Sequence, residues 1–162
     1  MPSRKKVQNT HMSRKLRALH GALLDIQAVM NRPQRDAAMI RQAGIKLDRA
    51  LFPLLVLIER RGPIGVVELA DNVGRDYTTV SRQVAKLDEL SLVARKESTT
   101  DKRVREAIVT AAGKALTDRI DAARERIGRS ILESWAAQDI EDLVRLMRKF
   151  ADALKEEPHQ GS

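Results

Sequence analysis

The sequence contains no cysteine among its 162 residues, which excludes disulfides, thiolate nucleophiles, thiol-based redox sensing and cysteine-ligated zinc. Aromatic residues make up only 2% of the chain, too few for a platform that stacks single-stranded nucleic acid. The longest apolar run, Leu51–Ile58, contains Pro53 and falls far short of the roughly 18 residues that a membrane span needs. The N-terminus lacks the apolar run of a signal peptide, so we expect a cytoplasmic protein with no membrane partner.

Residue patterns for catalysis are also lacking. The three histidines, His11, His20 and His159, lie far apart in the sequence, and the glycines form no phosphate-binding loop. Carboxylates mostly alternate with basic residues, as is typical of solvated helix faces. We therefore expect that the protein is not an enzyme, and we predict no catalytic residue, no bound metal and no cofactor.

Basic residues outnumber acidic ones by 30 to 22, which gives a net charge of +8. Residues 1–35 carry eight basic side chains against one acidic side chain, so nearly all of the excess lies there. Residues 62–113 carry eight of each and are neutral. The net charge favours a polyanionic partner such as double-stranded DNA, but it does not locate the binding surface.

The spacing of apolar residues predicts a mainly α-helical fold with one small β-hairpin. Helices are predicted over residues 13–31, 34–43, 48–61, 66–73, 77–90, 110–135 and 138–155, and strands over residues 92–98 and 104–109. Ser13 and Asp76 are plausible N-caps, and Pro53 should force either a first-turn start or a kink in its helix.

These elements divide the chain into regions. The predicted regions are a flexible basic arm at 1–12, a helical dimerisation region at 13–45 and 111–156, a winged helix-turn-helix DNA-binding region at 46–110, and a disordered tail at 157–162. The apolar stripes of the flanking helices exceed what a small winged helix can cover, which favours burial in a second copy of the chain. A self-contained helical core is the alternative.

The segment Val66–Val80 fits a helix-turn-helix. Ala70 is small enough for two helices to cross closely, and Gly74 suits a turn that needs a positive φ. If Val80 and Val84 face inward with Leu87, the opposite face carries hydroxyl, amide and cationic groups suited to base edges and phosphates. These side chains are Thr78, Thr79, Arg82, Gln83 and Lys86. An ordinary solvated helix is the alternative interpretation.

The hairpin that follows has a basic tip, which makes the whole segment a winged helix. The tip carries Lys102, Arg103 and Arg105, and Asp101 can orient a neighbouring arginine. An arginine of the wing would be attracted to the negative potential of a narrow minor groove. A solvated turn is the alternative.

The sequence resembles the MarR family of transcriptional regulators over about Leu47 to Leu116. The matching residues are Leu55, Ile58, Gly62-Pro63-Ile64, Glu68-Leu69-Ala70, Val73-Gly74, Thr78-Thr79-Val80-Ser81-Arg82, Leu87, Leu92-Val93-Ala94-Arg95, Asp101-Lys102-Arg103 and Thr110-Ala111-Ala112-Gly113. The spacing from the Asp101–Arg103 wing to Thr110–Gly113 is the most specific part of this match.

The resemblance implies a triangular homodimer in which two winged helices read a palindromic DNA site. It places Thr78, Thr79, Ser81 and Arg82 on the face of the recognition helix that meets DNA, and it makes Arg103 the wing arginine with Asp101 as its partner. Regulation by a small aromatic ligand is also implied, although no effector-binding residue can be named.

Three positions depart from the family pattern. Ser91 stands where glycine is usual, so the exit from the recognition helix is expected to differ. Arg75 and Tyr77 replace small or apolar residues in the turn, and both are assigned to the DNA interface. Arg75 is predicted to contact a phosphate, with simple solvation as the alternative.

We therefore predict a sequence-specific DNA-binding transcriptional regulator, more specifically a repressor, that acts as a homodimer. The alternatives are a winged helix that binds another protein and a protein that coats DNA without sequence preference. The neutral charge of residues 62–113 favours the protein-binding alternative, whereas the cationic side chains of Arg82, Lys86 and Arg103 oppose it.

Overall fold

The computed structural model describes the backbone of residues 4–156 and the side chains of residues 8–156. The fold divides into two compact units, with the boundary between Ala122 and Ala123 inside a continuous helix. The predicted disordered tail at 157–162 lies outside the described residues. No helix of the described part of the chain is both long and apolar enough to cross a membrane.

A winged helix occupies the middle of the chain, as the sequence predicts. Its elements are α3 (Phe52–Arg61), β1 (Ile64–Gly65), α4 (Val66–Val73), α5 (Tyr77–Glu89), β2 (Val93–Glu97) and β3 (Arg105–Val109). The three strands form an antiparallel sheet in the order β1-β3-β2, and Val93 pairs with Val109 at one end of the hairpin while Glu97 pairs with Arg105 at the other. The two-residue strand β1 was not predicted; its Ile64 pairs with Ala107 of β3.

The core of this region is built from apolar residues at helical spacing. Its most buried side chains are Leu54, Leu55, Ile58, Ile64, Leu69, Val80, Val84, Leu87 and Val93. Because α3 contributes three of these residues and is apolar on nearly all sides, it forms the centre on which α4, α5 and the sheet pack. The helix begins at Phe52 rather than at the predicted Asp48, since Pro53 suits a first turn.

In the sequence, two helices precede the winged helix and two follow it: α1 (Arg4–Met30), α2 (Pro33–Ala43), α6 (Ala111–Leu132) and α7 (Ala137–Glu156). The predicted start of α1 at Ser13 is wrong, because the helix already includes residues 4–12, which were expected to form a flexible arm. The hydroxyl of Ser13 donates to the carbonyl oxygen of Asn9 at 2.9 Å, inside the helix, instead of capping its start.

The start of α6 is fixed against the end of the recognition helix. The hydroxyl of Thr110 accepts a hydrogen bond from the backbone N–H of Gly113 and donates to the carbonyl oxygen of Ser91, so Thr110 caps the helix. A side chain at Gly113 would collide with the carbonyl oxygen of Leu92 and with Val109, which explains the glycine at this position. Ser91 has φ of 59°, a conformation that glycine adopts more readily.

Candidate nucleic-acid interface

The turn between α4 and α5 has the geometry that the helix-turn-helix prediction requires. Gly74 has φ of 64°, a left-handed conformation that costs glycine little, and the backbone N–H of Arg75 donates to the carbonyl oxygen of Ala70 at 3.1 Å. Ala70 itself is buried against the core cluster that both helices share. The turn therefore sets the angle between α4 and α5.

Asp76 caps the start of α5. Its carboxylate accepts one hydrogen bond from the backbone N–H of Thr79 at 2.8 Å and a second from the Thr79 hydroxyl at 2.7 Å. The hydroxyl bond is the main cause that lowers the pKa of Asp76 below its ordinary value, followed by the backbone bond, and the positive charge of Arg82 adds a smaller effect. Because the Thr79 hydroxyl gives its one hydrogen to Asp76, only its lone pairs are left for another partner.

The two faces of α5 are separated as predicted. Val80, Val84 and Leu87 are at most 1% exposed and face the core. On the other side, Tyr77, Thr78, Arg82 and Lys86 are exposed, and Thr79, Ser81 and Gln83 are half-buried. The ion pair of Lys86 with Glu89 spans 3.5 Å between exposed groups, so it restrains the lysine only weakly.

Arg75 and Gln83 are linked to each other instead of standing free. The Nη1 atom of Arg75 donates to the Gln83 side-chain oxygen Oε1 at 3.0 Å and to the carbonyl oxygen of Ala50 at 2.9 Å. The alternative of a simply solvated Arg75 is therefore wrong, because the residue is half-buried and its guanidinium joins the turn before α3 to α5. Its predicted contact with a phosphate remains a prediction.

An acidic side chain of α2 lies in the same charged surroundings. Partial burial raises the pKa of Asp36, and the positive charges of Arg49, Arg35 and Arg75 oppose that rise. Arg75 is therefore within electrostatic reach of α2 as well as bonded to the segment that precedes α3. Through Arg75, the turn of the helix-turn-helix therefore interacts electrostatically with α2 and is hydrogen-bonded to the segment that precedes α3.

The tip of the hairpin holds Asp101 and Arg103 as a pair. One carboxylate oxygen of Asp101 accepts hydrogen bonds from the backbone N–H of Arg103 at 3.0 Å and from its side-chain Nε at 3.3 Å. The Arg103 side chain is 91% exposed, so the carboxylate orients an arginine that projects from the surface. Lys102 and Arg105, the other two cations assigned to the wing, are also exposed.

A groove of about 670 Å³ runs between the recognition helix and the wing. Tyr77 and Ser81 of α5 line one side, and Asp101 and Arg103 of the hairpin line the other. The structure therefore brings Tyr77 and Ser81 to one groove with Asp101, Arg103 and Arg105 of the wing. Acidic side chains, including Glu68, lie along the groove as well, in keeping with the overall neutrality of this region. Thr79, Arg82, Gln83 and Lys86 line a second groove on α5.

Sequence reasoning missed one cation beside the recognition helix. Lys46 lies with Leu47 and Leu51 along a second groove, of about 550 Å³, whose other side is lined by Arg82, Gln83, Lys86 and other residues of α5. Lys46 is distant in sequence from α5, so no local pattern could place it there. Among the described residues, no group of side chains could hold a metal ion.

Comparisons with known proteins place this geometry among helix-turn-helix regulators. The family described as HVO_A0114 matches residues 46–107. The uncharacterized HTH-type transcriptional regulator YxaD of Bacillus subtilis is 31% identical over 107 residues, which cover 66% of this chain and 75% of that relative.

Solved structures share the fold over most of the chain. A MarR family protein from Bacillus stearothermophilus is similar with a TM-score of 0.71 at 22% identity, covering 89% of this chain and 98% of that one. A MarR family transcriptional regulator from Listeria monocytogenes, solved in complex with a 26mer DNA, gives a TM-score of 0.64 at 22% identity and covers 86% and 97% of the two chains.

Proposed function

The chain belongs to the MarR family of winged helix-turn-helix transcriptional regulators, which bind DNA, and on that premise we propose that it acts as a homodimeric repressor on a palindromic operator. The observation that carries the proposal is the groove in which Tyr77 and Ser81 of α5 face Asp101 and Arg103 at the basic tip of the hairpin. A helix of this kind fits the major groove of DNA, and an extended arginine fits the adjacent minor groove.

Each part of this surface has a distinct role in the proposal. The exposed side chain of Arg82 contacts a base edge, and that of Lys86 binds a phosphate and so positions the helix on the DNA. Arg103 enters the minor groove, where its attraction depends on groove width more than on base identity, and Asp101 limits the directions in which it can point. Thr78, Thr79 and Ser81 complete the surface with hydroxyl groups, and Tyr77 borders the groove.

The homodimer is supported by apolar side chains that the single chain leaves in contact with water. Between residues 8 and 30 of α1 no side chain is buried, and the exposed apolar residues there include Leu16 at 56% and Leu24 at 50%. The helix α7 buries none of its residues, and its Val144 is 66% exposed. Surfaces of this kind generally mark contacts with another chain, and a symmetric dimer would cover both copies at once.

A homodimer would place two recognition helices about one helical turn, roughly 34 Å, apart on DNA. Occupancy of such a site blocks other proteins from it, which is the physical basis of repression. A small aromatic ligand would release the DNA if it binds best to a dimer in which the spacing of the two winged helices no longer matches the operator.

Enrichment of a random pool of duplex DNA by the purified full-length protein, near physiological salt, tests the proposal. We expect a palindromic sequence whose half-sites lie about one helical turn apart. Its affinity should fall with salt by roughly 0.9 log unit per log unit of salt for each phosphate that is neutralised.

The other outcomes identify the alternative functions. Binding without an enriched sequence would indicate a protein that coats DNA non-specifically. No binding even at low salt would favour a winged helix that binds another protein, or a dimer purified with its effector, which denaturation and extraction of the purified protein would reveal.

A further inference from the structure

We propose that Arg75 is a positioning residue that sets the base preference of the recognition helix by holding Gln83 as a hydrogen-bond donor. The inference rests on the proposed function, because it concerns how the same surface reads DNA. Arg75 lies in the turn of the helix-turn-helix, so the turn would contribute to base specificity together with the exposed side chains of α5.

The orientation of the Gln83 amide follows from the chemistry of its partner. A guanidinium group carries only N–H donors, so the atom of Gln83 that lies 3.0 Å from Arg75 Nη1 must be the carbonyl oxygen Oε1. The amide oxygen and nitrogen lie on opposite sides of one carbon. Fixing the oxygen toward Arg75 therefore directs the NH2 group away from Arg75.

Arg75 is itself held in place, so it can serve as a fixed point. The same Nη1 atom donates to the carbonyl oxygen of Ala50, 25 residues away in the sequence, at 2.9 Å. That carbonyl belongs to a turn that Asp48 stabilises. The Asp48 carboxylate accepts a hydrogen bond from the backbone N–H of Ala50 at 2.7 Å, and the Asp48 backbone carbonyl accepts one from the backbone N–H of Leu51 at 3.0 Å. The chain Asp48 to Ala50 to Arg75 to Gln83 thus connects the segment before α3 to the middle of the recognition helix.

A glutamine held in this way cannot read every base equally well. Free glutamine recognises adenine with both ends of its amide, because the oxygen accepts from the adenine amino group while the nitrogen donates to N7. In this protein the oxygen is engaged by Arg75, so the NH2 group can still donate to adenine N7 but the adenine amino group is left without an acceptor from Gln83. Guanine, with O6 and N7, and thymine, with O4, offer only acceptors to that NH2 group in the major groove.

The inference therefore predicts that one position of each half-site, the one contacted by Gln83, favours guanine or thymine over adenine. It also predicts that Arg75 acts only through Gln83, with no separate contact to a base. An arginine at this place substitutes for the small or apolar residue that the resemblance to the family leads one to expect.

The test is enrichment of the same random duplex pool by the wild type, Arg75→Ala, Gln83→Ala and the double variant. Arg60→Ala serves as the matched control, because Arg60 pairs with Asp121 at 2.9 Å outside the proposed interface and its loss also removes one positive charge. If Arg75→Ala unfolds, Arg75→Leu replaces it, since an apolar side chain is the usual choice at this position.

We expect Arg75→Ala to raise the ratio of adenine to guanine plus thymine by about tenfold at a single position of each half-site, with the other positions unchanged. Gln83→Ala should lose the preference at that same position. The double variant should match Gln83→Ala, and Arg60→Ala should match the wild type.

Two results would overturn the inference and leave the proposed function intact. In the first, Arg75→Ala weakens binding to all sequences and reduces the salt slope by about one phosphate, with base preference unchanged, so that Arg75 is a phosphate ligand. In the second, Arg75→Ala changes only the unfolding temperature, so that the bridge is purely structural. A wild-type pool without any enriched sequence would overturn the proposed function and this inference together.

Discussion

The carboxylate of Asp76 accepts two hydrogen bonds from Thr79, one from the backbone N–H at 2.8 Å and one from the side-chain hydroxyl at 2.7 Å. This pair does two things at once. It satisfies a free N–H group in the first turn of the recognition helix, and it fixes the direction of a hydroxyl on the face that is proposed to meet DNA. The stability of α5 and its surface chemistry are therefore linked at its first turn.

Replacement of Asp76 by alanine should lower the stability of the protein in a pH-dependent way. The pKa of this carboxyl is lowered in the folded chain from its ordinary value of 3.8. A group with a depressed folded pKa stabilises the protein above its unfolded pKa, and its contribution is lost as the pH falls through the folded value. The difference in urea midpoint between wild type and Asp76→Ala should therefore be constant at neutral pH and shrink below the ordinary pKa.

Thr79→Val is the matched control for this experiment, because it removes the hydroxyl bond and leaves the backbone bond in place. It should show a smaller loss of stability than Asp76→Ala, with the same dependence on pH in weaker form. Equal urea midpoints for wild type and Asp76→Ala across the acidic range would contradict the role assigned to this cap.

Arg82→Ala should weaken specific binding and relax sequence choice at the base that Arg82 contacts. The side chain is exposed on the polar face of α5, and loss of an arginine contact to a base costs about 1–3 kcal/mol, or roughly fivefold to 150-fold in affinity. Fluorescence anisotropy with the enriched operator and with single-base variants measures both effects. Unchanged affinity together with unchanged sequence preference would remove Arg82 from the interface.

Arg103→Ala should weaken DNA binding without lowering the unfolding temperature. The Arg103 side chain is 91% exposed and its ion pair with Asp101 lies at the surface, where such pairs contribute at most about 1 kcal/mol to stability. Arg103→Lys keeps the charge but loses the planar guanidinium, so the affinity of this variant for DNA should lie between those of the wild type and Arg103→Ala. Asp101→Asn should lower affinity less than Arg103→Ala, and an effect confined to thermal stability would argue against a minor-groove contact.

Leu16→Asp should weaken the homodimer, since Leu16 is 56% exposed on the apolar face of α1 in the single chain. Placing a charge in a buried interface should raise the dimer dissociation constant by about tenfold or more, as measured by sedimentation equilibrium. Val67→Asp is the control, because Val67 is also an exposed apolar residue, at 64%, but belongs to α4. If both variants keep the mass of the wild type, α1 does not take part in a dimer.

Most of the fold could be predicted from the sequence because each core helix repeats its buried residues at a fixed spacing. Val80, Val84 and Leu87 show this for α5, and all three are buried. The start of α1 could not be predicted in the same way. A serine suggests an N-cap, but Ser13 bonds to Asn9 within a longer helix. Nothing in the local sequence makes that helix begin as late as Ser13.

The candidate site was predicted less completely than the fold. The exposed face of α5 follows from helical spacing, and the pairing of Asp101 with Arg103 follows from their separation of two residues in a turn. The bridge from Arg75 to Ala50 joins segments that are distant in sequence, and so does the approach of Lys46 to α5. Contacts of this kind depend on how α3 and α5 pack, which residue patterns do not encode.

Two copies of the winged helix are proposed to read DNA together, and a change in the spacing between the half-sites tests this cooperation. Insertion of about 5 base pairs at the centre of the enriched palindrome turns one half-site to the opposite side of the duplex. We expect the affinity then to fall to that of a single half-site, as measured by fluorescence anisotropy with the wild-type protein. Undiminished affinity for the lengthened site would contradict this expectation, because each winged helix would then bind independently of the other.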